Sequence, residues 1–504
     1  MIRATLIRVL LAVIMVAAVV ADAAHAQCLT NVCGPPRGRG HNPGPGGPND
    51  PGSDSHRNVI GYIVGGAVVA IVGWVIANKL FVDPGGNDPP ASPPLGPVFE
   101  PPPTPTSLGP GTTGPGGGAL RPLRNGFNQP PPGELRFTNE VLVDIATTVS
   151  AQARDRIAAN LSMVPIDSYR IRLTGRTLHR WRISDIEQMR AMIRALSGEP
   201  QIAGAQPNYL YRLAEDAAAP ANADQYAPEK LDLAKAHRLA TGNRISVAVI
   251  DSGVDASHPD LAGAITANFD AASVDEKPHP HGTGMAGAIA SRGAVLGIAP
   301  RAELLTVRAF SSKAESAEGT TLNIIKGLDW AAERGTRIVN MSFAGPPDPR
   351  LRDALVKASG KGIVLIAAAG NAGPNSPPLY PAAYPGVIAV TATDSDDALF
   401  SGANRGKYIA VAAPGVDVLV TGTGAAYQFT TGTSVAAAEV SGIVALLMER
   451  NPALTPNDVR RILMGTAKHL GPKGDQQFGP GLVNALQAVT SANQAATARR
   501  GTGL

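Results

Sequence analysis

The stretch IVLIAAAGN, residues 363–371, is an uninterrupted apolar run that ends on the polar Asn371. Continuous rather than alternating apolar residues are typical of a strand whose two faces are both covered by helices. Similar runs occur at ISVAVID (245–251), ELLTVRAF (303–310), RIVNMSF (337–343), VIAVTAT (387–393) and IAVAAPG (409–415), with helical patterns between them. This alternation predicts a three-layer α/β domain with a mainly parallel sheet flanked by helices over residues 225–490.

Several polar residues stand where these strands end or where helices begin. Asp251 closes the run AVID, and Asn371 closes the opening stretch. His281 stands at the head of a glycine-rich helix in HPHGTGMAG, and Ser434 stands at the head of another in GTSVAAAEVSG (432–442). Because chemistry in parallel sheets collects at the carboxyl ends of the strands, these four side chains are candidates for one site.

The order Asp, His, Asn, Ser in the motifs DSGVD, HGTGMAG, AAAGN and GTSVAAAEVSG resembles the subtilisin-like serine peptidases. The resemblance covers about half of the chain and implies a serine endopeptidase with a triad of Asp251, His281 and Ser434. Asn371 is then the oxyanion-binding side chain. Substrate would be bound by two segments, namely Ser342, Phe343, Ala344 and Gly345, and Ala367, Ala368, Ala369 and Gly370.

The chemistry of these residue types agrees with those roles. A serine hydroxyl is a weak nucleophile at neutral pH and needs a neighbouring base to take its proton. Imidazole titrates near that pH, so His281 is suited to take the proton and return it to the leaving amine, while Asp251 orients the ring. The Asn371 amide and the Ser434 backbone N–H, at a helix N-terminus, would face the oxyanion.

The chain also departs from the family pattern. Val435, Ala438 and Glu439 replace the methionine, proline and histidine that commonly follow the serine motif, and Gly284 stands where many members have a second histidine. The alternative hypothesis is therefore a catalytically inactive protein-binding module with the subtilisin fold. No His/Cys/Asp cluster has metal-ligand spacing, so no metal or cofactor is expected.

Residues 134–213 form a separate α+β pattern, with strands at EVLVDIA, YRIRLTG, LHRWRI and IAGAQPNYLYRL and two intervening helices. This predicts a small ferredoxin-like domain that resembles the propeptide of such enzymes. In that interpretation residues 208–214 lie in the cleft as a strand against residues 342–345, and self-cleavage falls near Leu213 or Ala214. A permanent accessory domain is the alternative.

The first part of the chain predicts export and membrane attachment. Residues 1–26 have the plan of a signal peptide, and residues 27–58 are a Gly/Pro-rich linker. Residues 59–82 are an apolar segment, without charge before Lys79, that is long enough to span a bilayer as a transmembrane helix, and residues 83–133 are a proline-rich spacer. Arg37, Arg39 and Arg57 precede the span and favour a topology in which the peptidase domain lies outside the cytoplasm. A cleaved signal peptide followed by a stop-transfer segment would instead leave that domain in the cytoplasm. Protease treatment of spheroplasts tells these topologies apart.

Composition removes other classes of function. The net charge of +4 over 504 residues, without a basic block, makes nucleic acid an unexpected partner. Cys28 and Cys33 are the only cysteines, which excludes a thiol nucleophile in the folded part. A passive membrane adaptor that displays the proline-rich spacer would explain residues 27–133 but not the four motifs. Expected partners are protein or peptide substrates, the chain's own residues 134–213, and the membrane through 59–82, with a tail at 491–504.

Overall fold

The computed structural model describes residues 136–214, 225–312, 317–472 and 477–493. The predicted signal peptide, both linkers and the membrane span lie outside these ranges, as does most of the predicted tail, and these assignments stay predictions. Within the described ranges, no helix is both long enough and apolar enough to cross a bilayer.

The first described range folds as strand, helix, two strands, helix, strand. The elements are β1 (Phe137–Ile145), α1 (Ala151–Asn160), β2 (Val164–Ile171), β3 (Arg176–Arg182), α2 (Met189–Gly198) and β4 (Ile202–Leu213). The strands pair antiparallel in the order β2-β3-β1-β4. This is the predicted ferredoxin-like arrangement.

Both faces of this small sheet are covered, as the alternation along β1 shows. Val141 and Val143 are buried in a cluster with Ile157 of α1 and Leu196 of α2. Leu142, which points to the opposite face, is buried in a cluster with residues of the larger domain. Successive side chains of a strand point to opposite faces, so β1 packs against its own helices on one side and against the larger domain on the other.

The larger domain is the predicted three-layer α/β unit. Its strands are β5 (Ser246–Asp251), β6 (Ile265–Asp270), β7 (Glu303–Arg308), β8 (Phe310–Ser311), β9 (Glu318–Thr320), β10 (Ile338–Met341), β11 (Phe343–Ala344), β12 (Val364–Ala368), β13 (Val387–Thr393), β14 (Ile409–Pro414), β15 (Val418–Thr421) and β16 (Tyr427–Thr430). Its helices are α3 (Ala227–Lys230), α4 (Leu233–Ala236), α5 (Pro280–Ala290), α6 (Thr321–Glu333), α7 (Pro349–Gly360), α8 (Thr433–Arg450), α9 (Pro456–Thr466) and α10 (Ala485–Ser491).

A parallel sheet forms the middle layer, with strand order β14-β13-β12-β10-β5-β7-β6. Along β5, Val247 and Val249 belong to one buried cluster with residues of α5 and α8. Ala248 and Ile250 belong to the other cluster, with residues of α6 and α7. The continuous apolar pattern of the strands therefore reflects burial on both faces, as expected from the sequence.

One predicted strand is divided in two. The run RIVNMSF was expected to form a single strand over 337–343, but β10 ends at Met341 and β11 begins at Phe343. Between them, Ser342 leaves the parallel sheet and its Oγ donates to the backbone oxygen of Ser434 at 2.9 Å. As a result β10 belongs to the central sheet, whereas β11 pairs with β4 of the small domain.

The small domain meets the N-termini of two helices of the larger domain. The Asn208 side-chain oxygen accepts from the backbone N–H of Leu322 in α6 at 3.2 Å, and the Gln206 side-chain oxygen accepts from Arg350 N in α7 at 3.3 Å. Helix N-termini carry N–H groups without partners inside the helix, so these side chains act as caps from another domain. They fix the direction in which β4 enters the cleft.

Candidate active site

Asp251 and His281 form a buried pair at the carboxyl edge of the central sheet. Asp251 is the last residue of β5, and His281 is the second residue of α5. Their Oδ1 and Nδ1 atoms are 2.7 Å apart, and both side chains are fully buried. Oδ1 also accepts from the backbone N–H and the hydroxyl of Ser252, at 2.7 and 3.1 Å, so the carboxylate is held in place.

Gly282 allows the start of α5 to approach the end of β5. Its N–H donates to Ser252 Oγ at 3.0 Å, and a Cβ at this position would lie 2.7 Å from the backbone oxygen of Ser252. A backbone atom cannot move aside as the tip of a flexible side chain can. The glycine after His281 is therefore needed for the short distance between His281 and Asp251.

Ser434 lies at the start of α8, next to the end of the small domain. Its side chain is almost fully buried, and its Oγ donates to the backbone oxygen of Ala214 at 2.6 Å and lies 3.0 Å from that of Ser342. Helices α5 and α8 pack against each other, and each carries its candidate residue, His281 or Ser434, as the second residue of the helix.

Asn371 is oriented by the residue that precedes Ser434. Its Oδ1 accepts from Thr433 N at 3.1 Å and from Thr433 Oγ1 at 2.9 Å. Its Nδ2 is buried and has no hydrogen-bond partner among the described residues. Since the oxygen side of the amide is fixed by Thr433, the nitrogen side is presented as a desolvated donor, which suits the binding of an oxyanion.

The end of the small domain lies between two strands of the larger one. On one side, Phe343 and Ala344 pair antiparallel with Leu213 and Arg212, and Ala214 N donates to the oxygen of Ser342 at 3.2 Å. Gly345 continues this contact surface, because a Cβ there would lie 2.4 Å from the ring of Tyr211. The predicted segment Ser342–Gly345 therefore contacts residues 211–214.

The strand on the other side was missed by sequence reasoning. Leu210, Tyr211 and Arg212 pair antiparallel with β9, whose three residues are Glu318, Gly319 and Thr320. A three-residue strand with one polar residue at each end has no periodicity that could identify it, and its partner is about a hundred positions away in the sequence.

The segment Ala367–Gly370 occupies a different place from Ser342–Gly345. Ala367 and Ala368 are fully buried inside the central sheet, and Ala369 N donates to Val390 O at 2.9 Å. Gly370 N donates to Thr433 Oγ1 at 3.0 Å. These contacts join the strand before Asn371 to the start of α8, and the substrate-binding role assigned to these four residues stays a prediction.

The unusual residues after Ser434 leave its helix intact. Helix α8 runs without interruption from Thr433 to Arg450, and both Ala438 and Glu439 are buried in it. Ala438 is the sixth residue of α8, and alanine is a better helix former at such a position than the proline that it replaces. The substitutions that favoured an inactive module therefore do not disturb the position of Ser434.

Glu439 is a carboxyl group inside the core. It is 2% exposed, its Oε2 has no hydrogen-bond partner among the described residues, and burial raises its pKa well above the usual value. An uncharged carboxylic acid is consistent with such surroundings, since a buried unpaired carboxylate is strongly disfavoured.

We expect Glu439→Gln to stabilise the full chain at pH 8 and to have a smaller effect at pH 4. When the pKa of a carboxyl is higher in the folded than in the unfolded chain, the free energy of unfolding of the protein falls as the pH rises above the unfolded pKa of about 4.3. Glutamine has nearly the same shape but carries an amide NH2 in place of one carboxyl oxygen and cannot ionise. Thermal unfolding midpoints at the two pH values test this, with the exposed Glu229→Gln as control, and an equal shift at both pH values would contradict it.

Comparisons with known proteins agree with this geometry. A family model described as the subtilase family matches residues 242–481. Thermophilic serine proteinase of Bacillus sp. (strain AK1) is 32% identical over 365 residues, which cover 70% of this chain and 87% of that protein. Thermitase of Thermoactinomyces vulgaris is 34% identical over 273 residues, which cover 53% of this chain and 95% of that protein.

The fold has a similar solved structure. Fervidolysin from Fervidobacterium pennivorans, a keratinolytic enzyme related to subtilisin, superimposes with a TM-score of 0.60 at 24% identity, over 71% of this chain and 61% of that one. At this identity the likeness supports the fold alone, whereas the two sequence relatives support the family. The chain therefore belongs to the subtilase family and is a serine-type endopeptidase.

Proposed function

We propose that Ser434, His281, Asp251 and Asn371 carry out peptide-bond hydrolysis through an acyl-enzyme. Ser434 Oγ attacks the substrate carbonyl carbon while His281 accepts the hydroxyl proton. The new C–O bond places negative charge on the carbonyl oxygen, which the Asn371 amide and the Ser434 backbone N–H stabilise. Collapse breaks the C–N bond, His281 donates its proton to the leaving amine, and water then hydrolyses the ester by the reverse sequence.

The burial of Asp251 supports its part in this scheme. A carboxylate that accepts from His281 Nδ1 at 2.7 Å fixes the tautomer in which the other ring nitrogen can act as a base. It also stabilises the imidazolium that forms during attack. Two further donors from Ser252 keep the carboxylate aligned without carrying charge themselves.

We also propose that residues 134–214 are a propeptide that the enzyme removes from itself by cutting between Ala214 and Glu215. The observation that carries this proposal is the 2.6 Å contact from Ser434 Oγ to the carbonyl oxygen of Ala214, at the end of a strand paired on both edges. In this contact the oxygen accepts from Ser434. Attack requires the carbonyl to turn so that its oxygen meets Asn371 and its carbon faces Oγ.

The test is the fate of the full chain after purification. We expect a product whose N-terminus is Glu215, identified by N-terminal sequencing and intact mass. A fluorophosphonate esterifies an activated serine hydroxyl with release of fluoride. It should stop formation of the Glu215 product and add the mass of the bound phosphonyl group to the peptide that contains Ser434. An uncut chain, or one cut only outside residues 208–224, would contradict the propeptide role, and absence of labelling would contradict the triad.

A further inference from the structure

The side chain of Tyr211 is enclosed in a pocket of the larger domain. Tyr211 lies three residues before Ala214 and is fully buried. Its ring packs edge-on against that of Phe343, with ring centroids 5.8 Å apart. The backbone of Gly345 forms another wall, since a Cβ there would lie 2.4 Å from Tyr211 Cδ1. The pocket is therefore shaped for a flat aromatic ring.

The end of this pocket is polar. The Tyr211 hydroxyl lies 3.3 Å from Asp348 Oδ2 and 3.3 Å from the backbone oxygen of Pro346. Burial raises the pKa of Tyr211 well above its usual value, so the phenol stays a hydrogen-bond donor. The hydroxyl of Tyr211 can share a hydrogen bond between Asp348 and Pro346, and phenylalanine, which has no hydroxyl, cannot.

Asp348 is held in this position by the larger domain itself. Its Oδ1 accepts from the backbone N–H of Arg350 and Leu351 at 2.9 and 3.0 Å, because Asp348 is the N-cap of α7. Its Oδ2 accepts from Thr321 Oγ1 at 2.5 Å. The side chain of Gln206, from the small domain, also donates to Oδ1 at 2.9 Å. Three of these four donors stay with the larger domain when another substrate occupies the cleft.

We propose that Asp348 is a specificity-determining residue that selects tyrosine at the fourth position before the cleaved bond. The inference rests on the proposed cut after Ala214, which makes Tyr211 that fourth residue. The Tyr211 hydroxyl is one of several donors to the Asp348 carboxylate, and a phenylalanine in its place would leave Asp348 Oδ2 and the backbone oxygen of Pro346 without that donor in a site closed to water. The substrates implied are extended peptides with tyrosine at this position and a small residue at the cleaved bond.

The first test measures selectivity in the self-processed enzyme. The probes are acetyl-Tyr-Arg-Leu-Ala-p-nitroanilide and its phenylalanine counterpart, assayed at pH 8. We expect kcat/KM to favour the tyrosine peptide about tenfold or more, because phenylalanine loses the buried hydrogen bond that tyrosine shares between Asp348 and Pro346. In Asp348→Ser, which keeps a good N-cap but shortens the side chain, the ratio should approach one. Asp353→Ser, a change at a half-exposed position on the same helix, should keep the ratio.

The second test does not depend on catalysis. In the full chain carrying Ser434→Ala, Tyr211→Phe should lower the thermal midpoint by about 2–4 °C, and it should have no further effect when Asp348→Ser is already present. Equal kcat/KM for the two peptides, or additive effects of Tyr211→Phe and Asp348→Ser, would overturn the inference while leaving the proposed function intact. Failure of the wild type to cut either peptide would contradict the proposed function, and the unfolding cycle would still decide the role of Asp348.

Discussion

Replacement of Ser434 by alanine is expected to leave the full-length chain uncut and to slow peptide hydrolysis by roughly 10⁶-fold. The substitution removes one oxygen atom, and without that atom no acyl-enzyme can form. The hydroxyl is also the group that contacts the carbonyl of Ala214 at 2.6 Å, so the same change tests both the nucleophile and the proposed cut. Gel mobility of the purified chain and release of p-nitroaniline are the two measurements.

A buried serine on the same helix provides the control. Ser441 donates to Ala437 O and to the Asn340 side chain, at 2.9 and 3.1 Å, and neither hydrogen bond involves Ala214. Ser441→Ala should therefore process itself and turn over substrate within a few-fold of the wild type. Processing by purified Ser434→Ala at the wild-type rate would eliminate Ser434 as the nucleophile.

Asn371→Leu is expected to lower kcat by about 10²- to 10³-fold with little change in KM. The leucine side chain is close in size but has no N–H, so the developing oxyanion loses one desolvated donor. Because the charge exists only in the transition state, the loss falls on kcat rather than on substrate binding. Steady-state kinetics with the tyrosine peptide measures both constants.

The matched control is Asn375→Leu, the same change at an exposed position of the same loop. It should leave both constants unchanged. Leucine at 371 also removes the oxygen that accepts from Thr433, so the thermal midpoint of Asn371→Leu has to be measured alongside. A raised KM with unchanged kcat would show that the amide binds the ground state and does not stabilise the oxyanion.

The central sheet was predictable because its strands carry their own signal. Apart from Ser246, Asn340 and the terminal Asp251, the residues of the strands that end at Asp251, Met341 and Ala368 are apolar and buried, and this pattern follows from burial between two helical layers. The carboxyl-edge rule then places polar residues together, as the 2.7 Å contact between Asp251 and His281 illustrates. The strand pattern predicted the sheet edge at which this pair lies, whereas the pairing and the catalytic roles came from the family resemblance, and the roles stay predictions.

Other features depend on contacts between distant residues and had no local signal. Glu318–Thr320 is a strand paired with β4 and with β8, and Ser342, which separates β10 from β11, donates its hydroxyl to the backbone oxygen of Ser434. Asp348 is the N-cap of α7, and its contact with Tyr211 depends on the docking of another domain. Charged residues are seldom buried, so the position of Glu439 in the core was equally unpredictable.

The position of β4 between β9 and β11 has a consequence for the timing of activation. Cutting after Ala214 would break one covalent bond but none of the ladder hydrogen bonds on either edge, nor the caps that Gln206 and Asn208 supply to α7 and α6. The severed segment would then stay bound in the cleft and compete with substrates for the peptidase domain that has just been released from it. Appearance of activity would be limited by the escape of that segment rather than by chemistry, and its delay would be independent of enzyme concentration.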